Sequence, residues 1–91
     1  MKAETRGIIE KAIDRLEFGF EDIEAFQEIT PIKNMEEFLL GYSLGYLRRL
    51  SEVTILLQEK NMTKTDDKEI SKIILTRIPE IRKKLLQYLN K

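Results

Sequence analysis

The sequence predicts an all-α fold, a three-helix up-down-up bundle of long helices that pairs into a dimeric helical bundle. Three long segments repeat apolar residues at steps of three and four, which is helical periodicity. Two short links separate these segments, and the first of them contains Pro31. No strand pattern or internal repeat competes with this interpretation. The 91 residues therefore form one domain, with helix one at about residues 5–27, helix two at 35–60 and helix three at 66–90.

Composition excludes several function classes before any motif is considered. Sixteen basic residues balance 16 acidic ones, so no net charge attracts the chain to nucleic acid or membrane. Cysteine and histidine are both absent, which excludes disulfides, thiolate sites and the commonest zinc ligand and general base. The longest apolar run, residues 38–47, is about half of the roughly 20 residues that a membrane-spanning helix needs. The charged opening Met1-Lys2-Ala3-Glu4 has no signal-peptide core, so we expect a cytoplasmic protein.

Helix one is predicted to begin at Thr5, a residue type that caps helix N-termini. One face carries the expected core stripe, which consists of Ile9, Ala12, Ile13, Leu16, Gly19, Phe20, Ile23 and Phe26. The glycine in this stripe suggests a close approach of a neighbouring helix. Abundant Ile, Leu, Lys and Glu, with few Gln and Asn, are typical of thermophilic proteins.

The opposite face of helix one carries a line of carboxylates, here called the acidic ridge. Its members are spaced 4, 3, 4, 3 and 4 and comprise Glu10, Asp14, Glu17, Glu21, Glu24 and Glu28. A di-iron site built from carboxylates also needs histidines, and the chain has none, so we expect neither metal nor catalysis here. Two interpretations remain, a solvated face and a docking surface for a basic protein partner.

Helix two is expected to be the central helix of the bundle. Asn34 is the predicted N-cap, and Glu37 stands three residues later, at a capping-box spacing. The helix is apolar around most of its circumference near its start, which is typical of a buried helix. Its expected core stripe consists of Leu39, Tyr42, Tyr46, Leu50, Val53 and Leu57.

A small-xxx-small pattern in helix two suggests an interface, although such a pattern often arises by chance. Two glycines four residues apart let helices approach closely, and they share a face with apolar residues edged by an Arg and a Glu. The predicted interface is Phe38, Gly41, Gly45, Arg49, Glu52 and Leu56. The glycines pack either against helix one of the same chain or against a second copy in a homodimer, and the sequence leaves both alternatives open.

Helix three is predicted to be capped by Thr65 or Asp66 and to be kinked at Pro79. Its apolar stripe keeps one phase through the proline and comprises Ser71, Ile74, Ile78, Ile81, Leu85 and Tyr88. The alternative is a separate last helix that Thr76 caps and whose first turn contains Pro79. The basic end of this helix supplies three candidates for phosphate contact, which are Arg77, Lys84 and Lys91.

No motif in the chain identifies a reaction, a cofactor or a ligand. We therefore expect a non-enzymatic protein–protein interaction or scaffold domain that forms a homodimer. The alternative is a nucleic-acid-associated regulator that uses the basic third helix. It has less support because the domain is neutral and lacks interleaved basic and aromatic residues.

Overall fold

The computed structural model describes residues 1–16, 25, 27–29 and 32–90. Within these ranges the fold is all-α, as predicted, and contains no strand. The described residues form four helices with defined bounds: α1 (Ala3–Asp14), α2 (Met35–Glu59), α3 (Lys64–Thr76) and α4 (Ile78–Leu89). Residues 25 and 27–29 are also helical. Helix α2 packs against each of the other three, which confirms its predicted central place.

Both ends of α2 agree closely with the sequence-based bounds. The side chain of Asn34 accepts a hydrogen bond from the Glu37 N–H at 3.1 Å, so the predicted N-cap is confirmed. At the other end Lys60 takes a left-handed conformation with φ of 61°. Its N–H donates to the Leu56 carbonyl at 3.0 Å, which satisfies one of the carbonyls that every helix C-terminus leaves open.

Helix α1 is shorter at its C-terminus than the predicted helix one. It begins at Ala3 instead of Thr5, and Thr5 is buried with a hydroxyl that has no hydrogen-bond partner in the described structure. It ends at Asp14, because Arg15 leaves helical geometry with φ of −97° and ψ of 12°. The predicted continuous helix to residue 27 is therefore wrong. Four members of its core stripe, Gly19, Phe20, Ile23 and Phe26, lie outside the described residues.

The predicted third helix is two helices, so the kink at Pro79 is wrong and the split is right. Arg77 separates α3 from α4, and Pro79 occupies the first turn of α4, where its missing N–H costs no hydrogen bond. Thr76 does not cap α4, because its hydroxyl donates to the Lys72 carbonyl within α3 at 2.6 Å.

Helix α3 begins with a capping box at Thr63, so the predicted cap at Thr65 or Asp66 is wrong. The Thr63 hydroxyl accepts from the Asp66 N–H at 3.1 Å, and the Asp66 carboxylate accepts from the Thr63 N–H at 3.0 Å. Asp66 is thus the third residue of the helix and not its cap. This reciprocal pair satisfies two donors of the helix start.

The core is formed by aliphatic side chains from all four helices: Ile9, Ile13, Leu39, Leu40, Leu47, Ile55, Ile70, Ile73, Ile74, Ile81 and Leu85. The stripes predicted for the first and third helices agree with this core at their described positions, which are buried or half-buried. The stripe predicted for helix two is wrong in phase, because Tyr42, Tyr46 and Leu57 are exposed.

Small hydroxyl side chains occupy much of the buried face of α2. Ser43, Ser51 and Thr54 are buried, and each donates to the carbonyl four residues earlier, at 2.6, 2.7 and 2.8 Å. These bonds satisfy the hydroxyls inside the helix itself, so the residues can be buried without partners from other helices. The core face of α2 is therefore centred on Leu47, and the aromatic side of the helix points away from the core.

Polar contacts join the ends of the helices. The Lys2 N–H donates to the Glu59 carboxylate at 3.2 Å, and the Met1 amine lies 3.1 Å from Asp66. The start of α1 therefore lies beside the end of α2 and the start of α3. At the opposite end of α2, Arg82 of α4 contacts two carboxylates of the first turn, Glu36 at 2.8 Å and Glu37 at 3.2 Å.

Candidate interaction surface

The side of α2 that faces away from the core is largely apolar, and we call it the outer face. On a helix that turns about 100° per residue, the part of this side between residues 38 and 56 carries Phe38, Gly41, Tyr42, Gly45, Tyr46, Arg49, Glu52, Val53 and Leu56. Tyr42, Tyr46 and Leu56 are 43%, 51% and 48% exposed. Single exposed apolar residues are normal, but a continuous row along one helix is typical of an interaction site.

The two glycines of the outer face are open on the side where their side chains would be. A Cβ built on Gly41 or Gly45 meets no described atom within 4 Å, and both residues are exposed. Neither glycine has a positive φ, so backbone conformation does not require glycine at these positions. Packing of this pair against helix one of the same chain therefore has no support in the described residues, and Gly19 lies outside them.

An aromatic pair rigidifies the N-terminal part of the outer face. The rings of Phe38 and Tyr42 stack with centroids 6.4 Å apart and an interplanar angle of 23°. Residues four apart on a helix are neighbours, and a ring pair at this spacing restrains both side chains. A preorganised surface loses less side-chain entropy when a partner covers it.

The outer face carries one basic and one acidic side chain, and both are fixed by ion pairs. Glu52 lies 3.4 Å from the Arg49 guanidinium and 3.3 Å from that of Arg48. Arg48 also reaches across to α3, where it donates to the Ser71 hydroxyl at 2.7 Å and pairs with Asp67. The carboxylate on the outer face is thus anchored to the bundle, whereas Arg49 remains about three-quarters exposed.

The acidic ridge depended on one continuous helix, which the structure does not contain. Glu17, Glu21 and Glu24 lie outside the described residues, and Glu28 is exposed. The remaining two, Glu10 and Asp14, lie in the last turns of α1, before the helix ends. Asp14 is paired within the chain, because Arg77 donates a hydrogen bond to it, and this bond holds the pKa of Asp14 below its ordinary value.

Two of the three candidates for phosphate contact instead cap the C-terminus of α1. Arg77 donates to the Glu10 carbonyl at 2.9 Å and pairs with Asp14 and Glu80. Lys84 donates to the carbonyls of Ile13, at 3.0 Å, and Asp14. Cations at a helix C-terminus compensate its unpaired carbonyls and its negative dipole end. The third candidate, Lys91, lies outside the described residues.

Loss of the Arg77 guanidinium is expected to destabilise the end of α1. We predict that Arg77→Met, which keeps most of the alkyl chain, lowers the free energy of unfolding by about 1–2 kcal/mol, since a part-buried carbonyl loses a charged donor. Urea denaturation monitored by circular dichroism measures the change. Lys83→Met is the matched control, because Lys83 is an exposed residue of α4, the helix that Arg77 precedes. Equal stability of the two variants would contradict a capping role for Arg77.

An open groove of about 670 Å³ along α4 offers no comparable site. Its described lining comes from one side of that helix and consists of Pro79, Arg82, Lys83, Leu86, Gln87 and Asn90. Small-molecule sites usually combine walls from several elements with convergent polar groups. The groove residues that the structure describes belong to one element, and Arg82 is already bonded to Glu36 and Glu37.

No group of three or more acidic side chains within residues 1–16, 25, 27–29 and 32–90 is placed to hold a metal ion. None of the helices described for this chain has both the length and the hydropathy of a membrane-spanning segment.

Comparisons with protein-family models, with curated proteins and with solved structures found no significant match.

Proposed function

We propose that the chain is a non-enzymatic protein–protein interaction domain that self-associates through the outer face of α2. The observation that carries this proposal is the pair of open glycines, Gly41 and Gly45, within a row of exposed aromatic and aliphatic side chains. Small residues in an apolar helix face allow a second helix to approach closely. Covering the row with another apolar surface removes it from water, which supplies the driving force.

A second copy of the chain is the partner that the charge supports best. The formal net charge is zero, so two copies meet without long-range repulsion. The outer face holds one Arg and one Glu, which together leave the surface neutral. A single pair of 25-residue helices makes an interface at the lower end of the usual size range, below about 1,200 Å² in total. We therefore expect dissociation constants in the micromolar range.

A charge placed in the outer face tests the proposal. Leu56→Glu puts a carboxylate where the second copy would pack, and we expect the dimer dissociation constant to rise at least tenfold, because burying an unpaired charge is costly. Leu56 is 48% exposed in the single chain, so the fold itself should tolerate the change. Analytical ultracentrifugation across a concentration series measures the constant.

The control uses the same chemical change on another helix. Leu75 of α3 is 62% exposed, and Leu75→Glu should leave the dissociation constant unchanged. A wild-type chain that sediments at 10.8 kDa at all concentrations would refute self-association. A dimer weakened equally by both substitutions would place the interface elsewhere.

Three other functions have less support. A nucleic-acid-associated regulator was expected to use Arg77 and Lys84, and both side chains are bonded to the C-terminus of α1. Docking of a basic protein on the acidic ridge would have to compete with Arg77 for Asp14. The chain has neither histidine nor cysteine, the side chains most used for proton transfer and thiolate chemistry, so an enzymatic role has little support.

A further inference from the structure

Six residues along the middle of the outer face follow a coiled-coil spacing, and we call them the seam. They are separated by 4, 3, 4, 3 and 4 positions and comprise Phe38, Tyr42, Gly45, Arg49, Glu52 and Leu56. On a helix with about 100° per residue they lie within about 40° of one line. Alternating steps of four and three are the pattern with which one helix packs into another.

The spacing of the seam is the same in both directions along the helix, which permits two different ways of pairing. In a parallel pair each residue meets its own copy, so Arg49 lies opposite Arg49 and Glu52 opposite Glu52. Each of these two layers would hold a pair of like charges. The two charges repel each other, which disfavours the parallel arrangement. Two of the six layers would carry this penalty.

In an antiparallel pair centred at Leu47, every layer combines different residues. Phe38 lies opposite Leu56 of the second copy, so an aromatic ring meets an aliphatic side chain. Gly45 lies opposite Arg49, so the largest charged side chain of the seam meets the residue that leaves most space for it. Tyr42 lies opposite Glu52. No layer pairs two side chains of like charge.

We propose that the second copy binds antiparallel along the seam, with the twofold axis at the level of Leu47. The inference rests on the proposed function, because it specifies the partner and register of the same surface. The arrangement is isologous, as closed dimers with a twofold axis are. It also explains the glycine at position 45, because a Cβ there would meet no described atom of the single chain within 4 Å, and a parallel pair would place it against another glycine.

Engineered cysteines distinguish the two directions, and the natural chain contributes none. Phe38 and Leu56 are 18 positions apart, which is about 27 Å along a helix. A disulfide requires Cα atoms within about 7 Å. The double variant Phe38→Cys/Leu56→Cys should therefore form covalent dimers under mild oxidation in either direction, whereas each single variant should do so only if the helices are parallel. An antiparallel pair is shown by cross-linking of the double variant without cross-linking of either single variant.

The expected result is a doubling of mass on a non-reducing gel, from 10.8 kDa, for the double variant and not for either single variant. A second pair, Tyr42→Cys/Glu52→Cys, keeps the test decisive if loss of Phe38 weakens association. Light scattering under reducing conditions confirms that each variant still dimerises. Lys68→Cys, at an exposed position of α3, measures cross-linking by random collision.

The outcomes separate the register from the proposed function. Cross-linking of the single variants above the Lys68→Cys level would overturn the antiparallel register and leave dimerisation through the outer face intact. A dimer that no seam cysteine cross-links would overturn the register, and the comparison of Leu56→Glu with Leu75→Glu then decides whether the outer face is the interface. A wild-type monomer at all concentrations would refute the proposed function, and the register with it.

Discussion

Replacing Leu47 with alanine is expected to lower the free energy of unfolding by about 2–5 kcal/mol. Leu47 is only 1% exposed and lies at the centre of the buried face of α2. The substitution removes apolar contacts and leaves a cavity that a helix packed against three others closes only in part. Urea denaturation of the monomeric form, at a protein concentration below the dimer dissociation constant, measures the loss.

Tyr46→Ala is the matched control for this prediction. Tyr46 is the preceding residue, is larger than leucine and is 51% exposed. Since surface substitutions usually change stability by less than about 0.5 kcal/mol, we expect little effect on the monomer. The opposite order of effects would mean that the aromatic side of α2 is the buried one. That result would remove the outer face and the dimer proposed from it.

The phase of α2 could not be predicted from polarity alone. The sequence offers two helical stripes on this helix, and the one with aromatic residues, including Tyr42 and Tyr46, is the more hydrophobic of the two. The structure buries the other stripe. In that stripe the hydroxyls of Ser43, Ser51 and Thr54 donate hydrogen bonds to backbone carbonyls of their own helix. Small side chains let neighbouring helices lie close, and that advantage is not visible in a hydropathy pattern.

The helix ends were predictable only where a residue with a specific backbone preference marks them. Asn34 caps α2 as expected, whereas nothing in the residue types at Arg15 and Leu16 indicates that α1 stops there. The cations that compensate this end, Arg77 and Lys84, come from more than 60 residues away. Tertiary contacts of this kind are absent from any local pattern.

The break between α3 and α4 is not visible in the apolar pattern of the sequence, for a different reason. Arg77 leaves helical geometry with φ of −102° and ψ of 9°, yet α4 begins at the next residue and the predicted apolar stripe is buried or half-buried on both sides of the break. Pro79 therefore indicated correctly that the helix is interrupted, but not whether it kinks or ends.

The candidate interface was in part predictable, because the spacing of Gly41 and Gly45 is a local signal. The side of α2 that is exposed could not be predicted in the same way, because it depends on which face of the whole helix packs into the core.

The capping box of α3 should make the stability of the fold depend on acid pH. Asp66 is 5% exposed, and its pKa lies below the ordinary value of 3.8 because its carboxylate accepts a hydrogen bond from the Thr63 N–H. The nearby Met1 amine lowers the pKa further. A carboxyl group whose pKa is lower in the folded than in the unfolded state stabilises the fold when it is ionised.

Removing the whole carboxyl group is expected to be costly at neutral pH. We predict that Asp66→Ala lowers the free energy of unfolding by about 2 kcal/mol, the upper end of the range for a lost helix cap, because the Thr63 N–H also loses its acceptor. Glu4→Gln is the control, since Glu4 is an exposed carboxylate in the first turn of α1. Its effect should remain within about 0.5 kcal/mol.

Asp66→Asn separates the charge from the hydrogen bond, because asparagine retains an oxygen acceptor for the Thr63 N–H. The stability that ionisation contributes is fully present above the unfolded-state pKa, and it disappears as pH falls through the lower folded-state pKa. The difference in stability between the wild type and Asp66→Asn should therefore be constant from pH 7 to about pH 5 and shrink steadily below pH 4. Urea titrations at a series of pH values measure it. A difference that stays constant down to pH 2 would mean that the charge of Asp66 does not stabilise the start of α3, and that the capping box acts through its hydrogen bonds alone.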